Sequence, residues 1–284
     1  MKNRIRMFVA TLLTLSFLGI NAWAEPGFLL MASTIGPIDA GIVSELEDAF
    51  EKDSGVRVRH VGAGTGAAIK IGEKGNVDLV MVHAKSLEEK FVAAGFGTER
   101  IPLMYNDFVI LGPAADPAAV KGMKKAADAM KQIAAKSALF VTRGDNSGTH
   151  VAEMVLWKAA GVTPTGNWYK TYEKGSQGNA PTLKFTDEQN GYIVMDRATY
   201  LSLKNSIKLQ VLVEGDEALL NRISLIPISP KKFPKTNYAD AISFVSWLTS
   251  PDKGQKIISD FGREKYGSAL FFPDSKQWHE KSKK

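Results

Sequence analysis

The sequence predicts an α/β protein of two lobes, with a ligand-binding cleft between them. Short apolar runs that suit strands alternate with amphipathic segments that suit helices. Two such sets are joined by extended segments, and the last predicted strand has no partner unless it returns to the first set. We therefore expect each lobe to be a mostly parallel sheet flanked by helices. Lobe 1 would comprise residues 25–108 and 222–284, and lobe 2 residues 109–221.

The predicted elements of lobe 1 follow from the spacing of apolar residues. A helix over 42–50 has apolar residues three and four positions apart, and the Asp53-Ser54-Gly55 sequence would end it. Continuous apolar runs predict buried parallel strands. These strands lie at residues 28–32, 56–61 and 77–82. After the excursion into lobe 2, a strand at 225–228 and helices at 238–249 and 251–261 complete the chain.

Lobe 2 begins after a long extended run at 103–111, which glycine and proline interrupt. The pattern then predicts further elements in chain order. These are a helix at 118–136, a strand at 138–142, a helix at 149–160, a loop-rich stretch at 166–181, a short helix near 188–196 and a strand at 209–214.

The composition excludes several classes of site. The 284 residues include no cysteine, which rules out thiol nucleophiles, disulfides and cysteine-bound zinc. The four histidines lack the spacing of a zinc enzyme. Without the three basic residues of the first 24, 33 basic groups face 30 acidic ones, a net charge of +3. We expect no cofactor, no metal ion and no nucleic-acid partner.

The N-terminus has the pattern of a secretory signal peptide. Three basic residues precede an apolar run at 7–20, and Ala22 and Ala24 supply the small residues before a cleavage site. Fourteen apolar residues would span about 21 Å, less than the roughly 30 Å of a hydrocarbon core. We predict a signal peptide at 1–24, cleavage after Ala24 and a periplasmic location.

Three predicted strand-to-helix turns have the same chemistry. They occupy residues 33–36, 62–66 and 143–149, and consist mainly of glycine and hydroxyl residues. A helix start offers unpaired N–H groups and a partial positive charge, so three turns around one cleft would bind an anion. The predicted ligand-binding residues are Ser33, Thr34, Gly64, Thr65, Arg143, Ser147, Gly148 and Thr149.

Each turn also has a simpler interpretation. Ser33, Thr65 and Ser147 are good N-cap residues, and Arg143 could pair with Asp145 instead of a ligand. As a guanidinium, Arg143 is able to bond two oxygens of one anion at once.

A hydrolase is the alternative from another class. Ser147, His150 and Asp145 contain the side chains of a catalytic triad, but they lie on one turn of chain at a helix start. We therefore expect that the protein is not an enzyme.

Several blocks of sequence resemble the periplasmic tungstate-binding components of ABC importers, among the type II periplasmic binding proteins. The likeness covers nearly the whole chain after the signal peptide. It is carried by residues 61–67 (VGAGTGA), 78–84 (DLVMVHA), 104–110 (MYNDFVI), 143–150 (RGDNSGTH), 212–216 (LVEGD) and 247–251 (WLTSP).

This resemblance implies a transport role. The protein would capture a tetrahedral oxyanion, tungstate or molybdate, and deliver it to an ABC permease in the inner membrane. In the family the first turn has four hydroxyl residues, whereas this sequence has Ile35 and Gly36 at two of those positions. We expect Ile35 to face the core or to wall one side of the pocket. Phosphate or a carboxylate as the ligand, and a sensor role for a membrane kinase, remain alternatives.

Overall fold

The computed structural model describes residues 27–283, which form ten strands, twelve α-helices and two short 3-10 helices. The predicted signal peptide and its cleavage after Ala24 lie outside these residues. Between residues 27 and 283, no helix is long and apolar enough to cross a membrane.

The strands and helices are numbered here in chain order. The strands are β1 Phe28–Thr34, β2 Arg57–Ala63, β3 Leu79–Val82, β4 Ile101–Gly112, β5 Phe140–Thr142, β6 Tyr169–Thr171, β7 Ile193–Asp196, β8 Gln210–Val213, β9 Leu220–Pro227 and β10 Phe272–Pro273. The helices are α1 Ile35–Ala40, α2 Ile42–Ser54, α3 Thr65–Glu73, α4 Lys85–Ala93, α5 Ala126–Ala135, α6 Gly148–Ala159, α7 Asn179–Glu188, α8 Arg197–Leu203, α9 Tyr238–Thr249, α10 Gly254–Asp260, α11 Arg263–Tyr266 and α12 Lys276–Lys281.

The main sheet is mixed. Its strand order is β10-β4-β9-β3-β1-β2, with β1 parallel to both β2 and β3. Strand β9 is antiparallel to β3 on one side and to β4 on the other. The α/β class and the return of the late strand to the first sheet are confirmed, but the main sheet is mixed where we expected mostly parallel sheets. Strands β5 and β6 form a separate parallel pair.

Strand β4 belongs to both halves of the molecule. Residues 101–107 pair with β9, and residues 108–112 pair with β7 and β8. The change of partners falls between Asp107 and Phe108. A second, shorter connection between the halves runs from the end of β8 to the start of β9.

The buried apolar residues divide in the same way. Two clusters draw their members from before residue 105 and after residue 222, and two others from residues 109–219. This division supports the proposed lobes, 25–108 with 222–284 and 109–221, whose boundaries stay a prediction.

Two of the predicted helices are confirmed closely. The apolar side of α2 is buried, including Leu46 and Phe50, and the helix ends at Gly55 with a φ of 75°. Glycine adopts this left-handed conformation without the penalty of a Cβ atom. The predicted helix at 238–249 matches α9.

The predicted helix at 118–136 is wrong over its first half, since α5 begins only at Ala126. Asp116, Ala119 and Gly122 all have positive φ, which a right-handed helix excludes. The backbone N–H of Ala126 instead donates to Asp216 Oδ2 at 2.8 Å. A carboxylate 90 residues away therefore fixes where this helix starts.

Three further elements differ from expectation. The predicted helix at 188–196 is wrong, because residues 193–196 form β7, whose apolar residues are buried against β4. The loop-rich stretch at 166–181 contains β6 and the start of α7. Strand β2 is an exposed edge strand rather than a buried one, and of its residues only Val58 is fully buried.

Candidate functional site

The first two predicted turns lie side by side at one edge of the main sheet. Ser33 and Thr34 at the end of β1 pair in register with Gly62 and Ala63 at the end of β2. Because the carboxyl ends of parallel strands meet at one edge, helices α1 and α3 both start there. The structure thus brings together the predicted residues of the 33–36 and 62–66 turns.

The hydroxyls of these turns are buried beside open backbone. Ser33 and Thr34 are 0% and 1% exposed, whereas a methyl group added at Gly64 would meet nothing within 4 Å. Thr34 Oγ1 and Thr65 Oγ1 are buried and have no hydrogen-bond partner in the described part of the chain. A buried hydroxyl normally has a hydrogen-bond partner. A bound ligand would supply the partner that these two hydroxyls lack.

The capping interpretation fails for this edge of the sheet. The N-cap of α1 is Thr34 and that of α3 is Gly64, and neither helix has a side-chain cap. Ser33 Oγ instead donates to the carbonyl of Thr34 at 3.2 Å. Ile35 is 49% exposed, so the first of its two expected positions, facing the core, is wrong, and the second, a wall of the pocket, stays a prediction.

The third turn connects β5 to α6 in the other half of the molecule. Ser147 is the N-cap of α6, and its Oγ accepts a hydrogen bond from the N–H of His150 at 3.3 Å. Capping is therefore confirmed for Ser147. Beside it, Gly148 is exposed and Thr149 is buried, and the first N–H groups of the helix point out of its end.

Arg143 is held on two sides and free on a third. Its Nη2 lies 2.5 Å from Asp145 Oδ2, and its Nη1 donates to Asn179 Oδ1. The expected alternative pairing with Asp145 is thus present. Arg143 Nε, however, is buried and has no partner among residues 27–283. The guanidinium retains a donor for a further group.

Asp145 is ionised in this arrangement. Burial raises the pKa of its carboxyl, but hydrogen bonds from Ser147 and the charge of Arg143 bring the pKa below its ordinary value. Both oxygens accept, one from Arg143 and the other from the N–H of Ser147 at 3.1 Å. Each oxygen of the carboxylate therefore already has a donor within the protein.

The same contacts exclude a hydrolase triad. His150 Nδ1 accepts a hydrogen bond from the N–H of Asn146 at 2.9 Å, so it has no proton to donate to Asp145. The contact between Ser147 and His150 involves the backbone of the histidine rather than its ring. The base that a nucleophilic serine needs is not in place.

Asn179 was missed by the sequence analysis. It stands 36 residues from Arg143 and reaches it because the loop before α7 packs directly on the Arg143 backbone. A Cβ atom at Gly175 would collide with the Arg143 carbonyl, and Gly178 has a φ of 116°. The two glycines of this loop were the signal in the sequence.

A buried carboxyl lies one turn into α6. Glu153 is 2% exposed, and its Oε1 accepts hydrogen bonds from Trp157 Nε1 at 3.0 Å and from the Tyr169 hydroxyl at 2.7 Å. Burial raises the pKa of Glu153 to about 7, against the lowering effect of hydrogen bonds from Tyr169, Thr142 and Trp157.

The donors thus form two sets, one on each half of the protein. Within residues 27–283 no hydrogen bond joins the turns at 33–36 and 62–66 to the turn at 143–149. No group of three or more acidic or histidine side chains in this range could hold a metal ion. The chemistry of both sets is that of neutral donors and one cation, which suits an oxyanion.

The chain resembles known proteins over most of its length. Residues 22–252 match the family model of the PBP superfamily domain. The tungstate-binding protein TupA of Peptoclostridium acidaminophilum is 40% identical over 251 residues, which cover 88% of this chain and 86% of that protein. Two solved structures are similar as well. The tungstate-binding protein TupA from Desulfovibrio alaskensis G20 is 44% identical, with a TM-score of 0.81, 88% of this chain and 100% of that chain covered. The tungstate ABC transporter structure from Geobacter sulfurreducens is 45% identical, with a TM-score of 0.67 and coverages of 82% and 98%.

Proposed function

This chain belongs to the PBP superfamily and, within it, to the family of tungstate-binding TupA proteins, and we propose that it captures a tetrahedral oxyanion in the periplasm for an ABC importer. The ligand is tungstate or molybdate, and the receiving partner is a permease in the inner membrane. The protein binds and releases its ligand unchanged, as the absence of a triad geometry at Ser147 supports.

Buried donors without partners carry this proposal. Four buried side-chain polar atoms lack a hydrogen-bond partner within residues 27–283, and three of them belong to the predicted turns: Thr34 Oγ1, Thr65 Oγ1 and Arg143 Nε. Leaving a buried donor unpaired costs roughly 1 to 3 kcal/mol. The oxygens of a bound anion would satisfy all three.

Each half of the protein contributes part of the proposed site. Thr34 and Thr65 supply hydroxyls without partners from one half, with the exposed backbone of Gly64 beside them. Ser33 would add its hydroxyl by exchanging its contact with the Thr34 carbonyl for the ligand. From the other half, Arg143 supplies the charge. Ser147, Gly148 and Thr149 add donors at the start of α6. Binding would draw the two halves together about β4, because neither set alone surrounds the ligand.

The donor set favours a fully deprotonated anion. Tungstate and molybdate need donors only, whereas hydrogen phosphate carries a proton that needs an acceptor. Asp145 is the carboxylate in contact with Arg143, and both of its oxygens already accept hydrogen bonds. This supports tungstate or molybdate over phosphate.

Calorimetric titration tests the proposal. We would titrate the wild-type protein with tungstate, molybdate, sulfate, phosphate and acetate, and repeat the series with Arg143→Ala. Loss of the charged donor should weaken tungstate binding by roughly ten- to a hundredfold, equivalent to about 1.5 to 3 kcal/mol. Arg263→Ala, which removes an exposed arginine far from the site in sequence, is the control.

Two results would overturn the proposal. One is a wild-type protein that binds none of these anions. The other is an Arg143→Ala variant that keeps the wild-type affinity and circular dichroism spectrum.

A further inference from the structure

Asn179 lies between two charged side chains. Its Oδ1 accepts a hydrogen bond from Arg143 Nη1, and its Nδ2 donates to Asp196 Oδ2 at 2.6 Å. Asn179 is the first residue of α7, and Asp196 is the N-cap of α8. One amide group therefore links the arginine of the proposed site to a helix cap outside it.

Asp196 fixes which way the Asn179 amide points. Its Oδ1 accepts from the N–H of Thr199 at 2.8 Å, and its Oδ2 accepts from the Thr199 hydroxyl at 2.6 Å. Both oxygens of this carboxyl act as acceptors, so the group of Asn179 that faces it is the NH₂ group. The amide oxygen is then turned towards Arg143.

The amide holds Arg143 without neutralising it. Asn179 and Asp145 bond the two terminal nitrogens of the guanidinium, and Nε remains without a partner among the described residues. Asp145 alone would hold the guanidinium at one terminal nitrogen, whereas the two contacts together hold both. A second carboxylate in place of Asn179 would instead reduce the attraction for an anion.

We propose that Asn179 is a positioning residue that aims the free donors of Arg143 at the ligand, with Asp196 setting the orientation of Asn179. This inference rests on the proposed function, in which Arg143 binds the anion. Asn179 itself acts through Arg143, and it makes the affinity of the site depend on a residue outside the three turns.

Tungstate titrations of four variants test the inference. Asn179→Ala removes the acceptor and should weaken binding about tenfold, the lower end of the range for one hydrogen bond to a charged group. Gln177→Ala, an exposed position in the same loop, is the matched control and should bind within about twofold of wild type. Asn179→Asp places a second carboxylate beside that of Asp196 and should also weaken tungstate binding.

The fourth variant combines Asn179→Asp with Asp196→Asn. It exchanges the acid and the amide, so the hydrogen bond between positions 179 and 196 is restored with its direction reversed. It should bind tungstate more tightly than Asn179→Asp alone, by about fivefold or more, as expected for coupled neighbours. A double variant no tighter than the single one contradicts the inference.

A ligand-free measurement separates this inference from the proposed function. The ¹⁵N–¹H resonance of Arg143 Nε, assigned through its loss in Arg143→Lys, should be sharp in wild type and shifted or broadened in Asn179→Ala. If wild type binds no oxyanion, the proposed function fails, and a resonance that still responds to Asn179→Ala upholds the positioning role. If affinity and resonance are both unchanged in Asn179→Ala, the inference is wrong while the proposed function stands. Should Asn179→Ala fail to fold, the comparison of Asn179→Asp with the double variant decides.

Discussion

Replacing Glu153 with glutamine should make the free energy of unfolding much less dependent on pH. Burial holds the pKa of Glu153 at about 7 in the folded protein, whereas an unperturbed glutamate titrates near 4.5. Between these two values the folded protein keeps a proton that the unfolded chain has lost. Stability therefore falls as pH rises through this window.

The size of the effect follows from the two pKa values. A rise from 4.5 to about 7 corresponds to about 3 kcal/mol at 1.36 kcal/mol per unit. Glutamine resembles the protonated acid, since its oxygen still accepts from Trp157 Nε1 and from the Tyr169 hydroxyl. It has no charge to lose, so the variant should not share the decline.

Urea unfolding at pH 5, 6, 7 and 8 measures this difference. Relative to Glu153→Gln, the wild type should lose up to about 3 kcal/mol between pH 5 and pH 8. Glu45→Gln, at an exposed position on α2, is the control and should follow the wild type. Parallel stability curves for wild type and Glu153→Gln would refute the reasoning.

Two further predictions concern the first turn and the junction between the halves. The double variant Ile35→Thr, Gly36→Ser should bind tungstate about tenfold more tightly in calorimetry, because both positions are open and each new hydroxyl is a donor. Unchanged affinity would show that backbone N–H groups already supply the donors of this turn. Arg197 pairs with buried Asp107 at 2.5 Å on β4, so Arg197→Ala should destabilise the protein by roughly 3 to 5 kcal/mol in urea unfolding. Adding Asp107→Ala should restore part of this loss, and a single variant within about 0.5 kcal/mol of wild type would contradict the assignment.

Local patterns in the sequence were sufficient for many of the elements. The apolar spacing in α2 and the glycine at position 55 are properties of neighbouring residues, and they predict both the helix and its end. The start of α5 depends instead on Asp216, far along the chain, and so the local pattern placed it too early. The strand at 193–196 was mistaken for a helix because short apolar runs fit either element until a partner strand is known.

The candidate site divides in the same way. The turns at 33–36, 62–66 and 143–149 follow from strands that end in glycine and hydroxyl residues, and the structure has each turn at a helix start. Their binding role stays a prediction. The contact of Arg143 with Asn179 joins residues 36 positions apart, and nothing local predicts it. Glycines 175 and 178 indicate a tightly packed loop, but they do not identify Arg143 as the residue that the loop contacts.

The position of β9 has a consequence for how the protein acquires its structure. This strand lies inside the main sheet, between β3 and β4. In the chain, however, β9 begins more than a hundred residues after the first residue of β3 and of β4. A chain that is made or exported from its N-terminus presents β3 and β4 long before the strand that joins them. Until residues 220–227 emerge, β3 and β4 each lack a neighbour, whereas β7 and β8 already have theirs on the far half of β4. Closing so long a loop is slow. The half that contains β7 and β8 can therefore fold first, and the main sheet can be completed only after the C-terminal part of the chain is present.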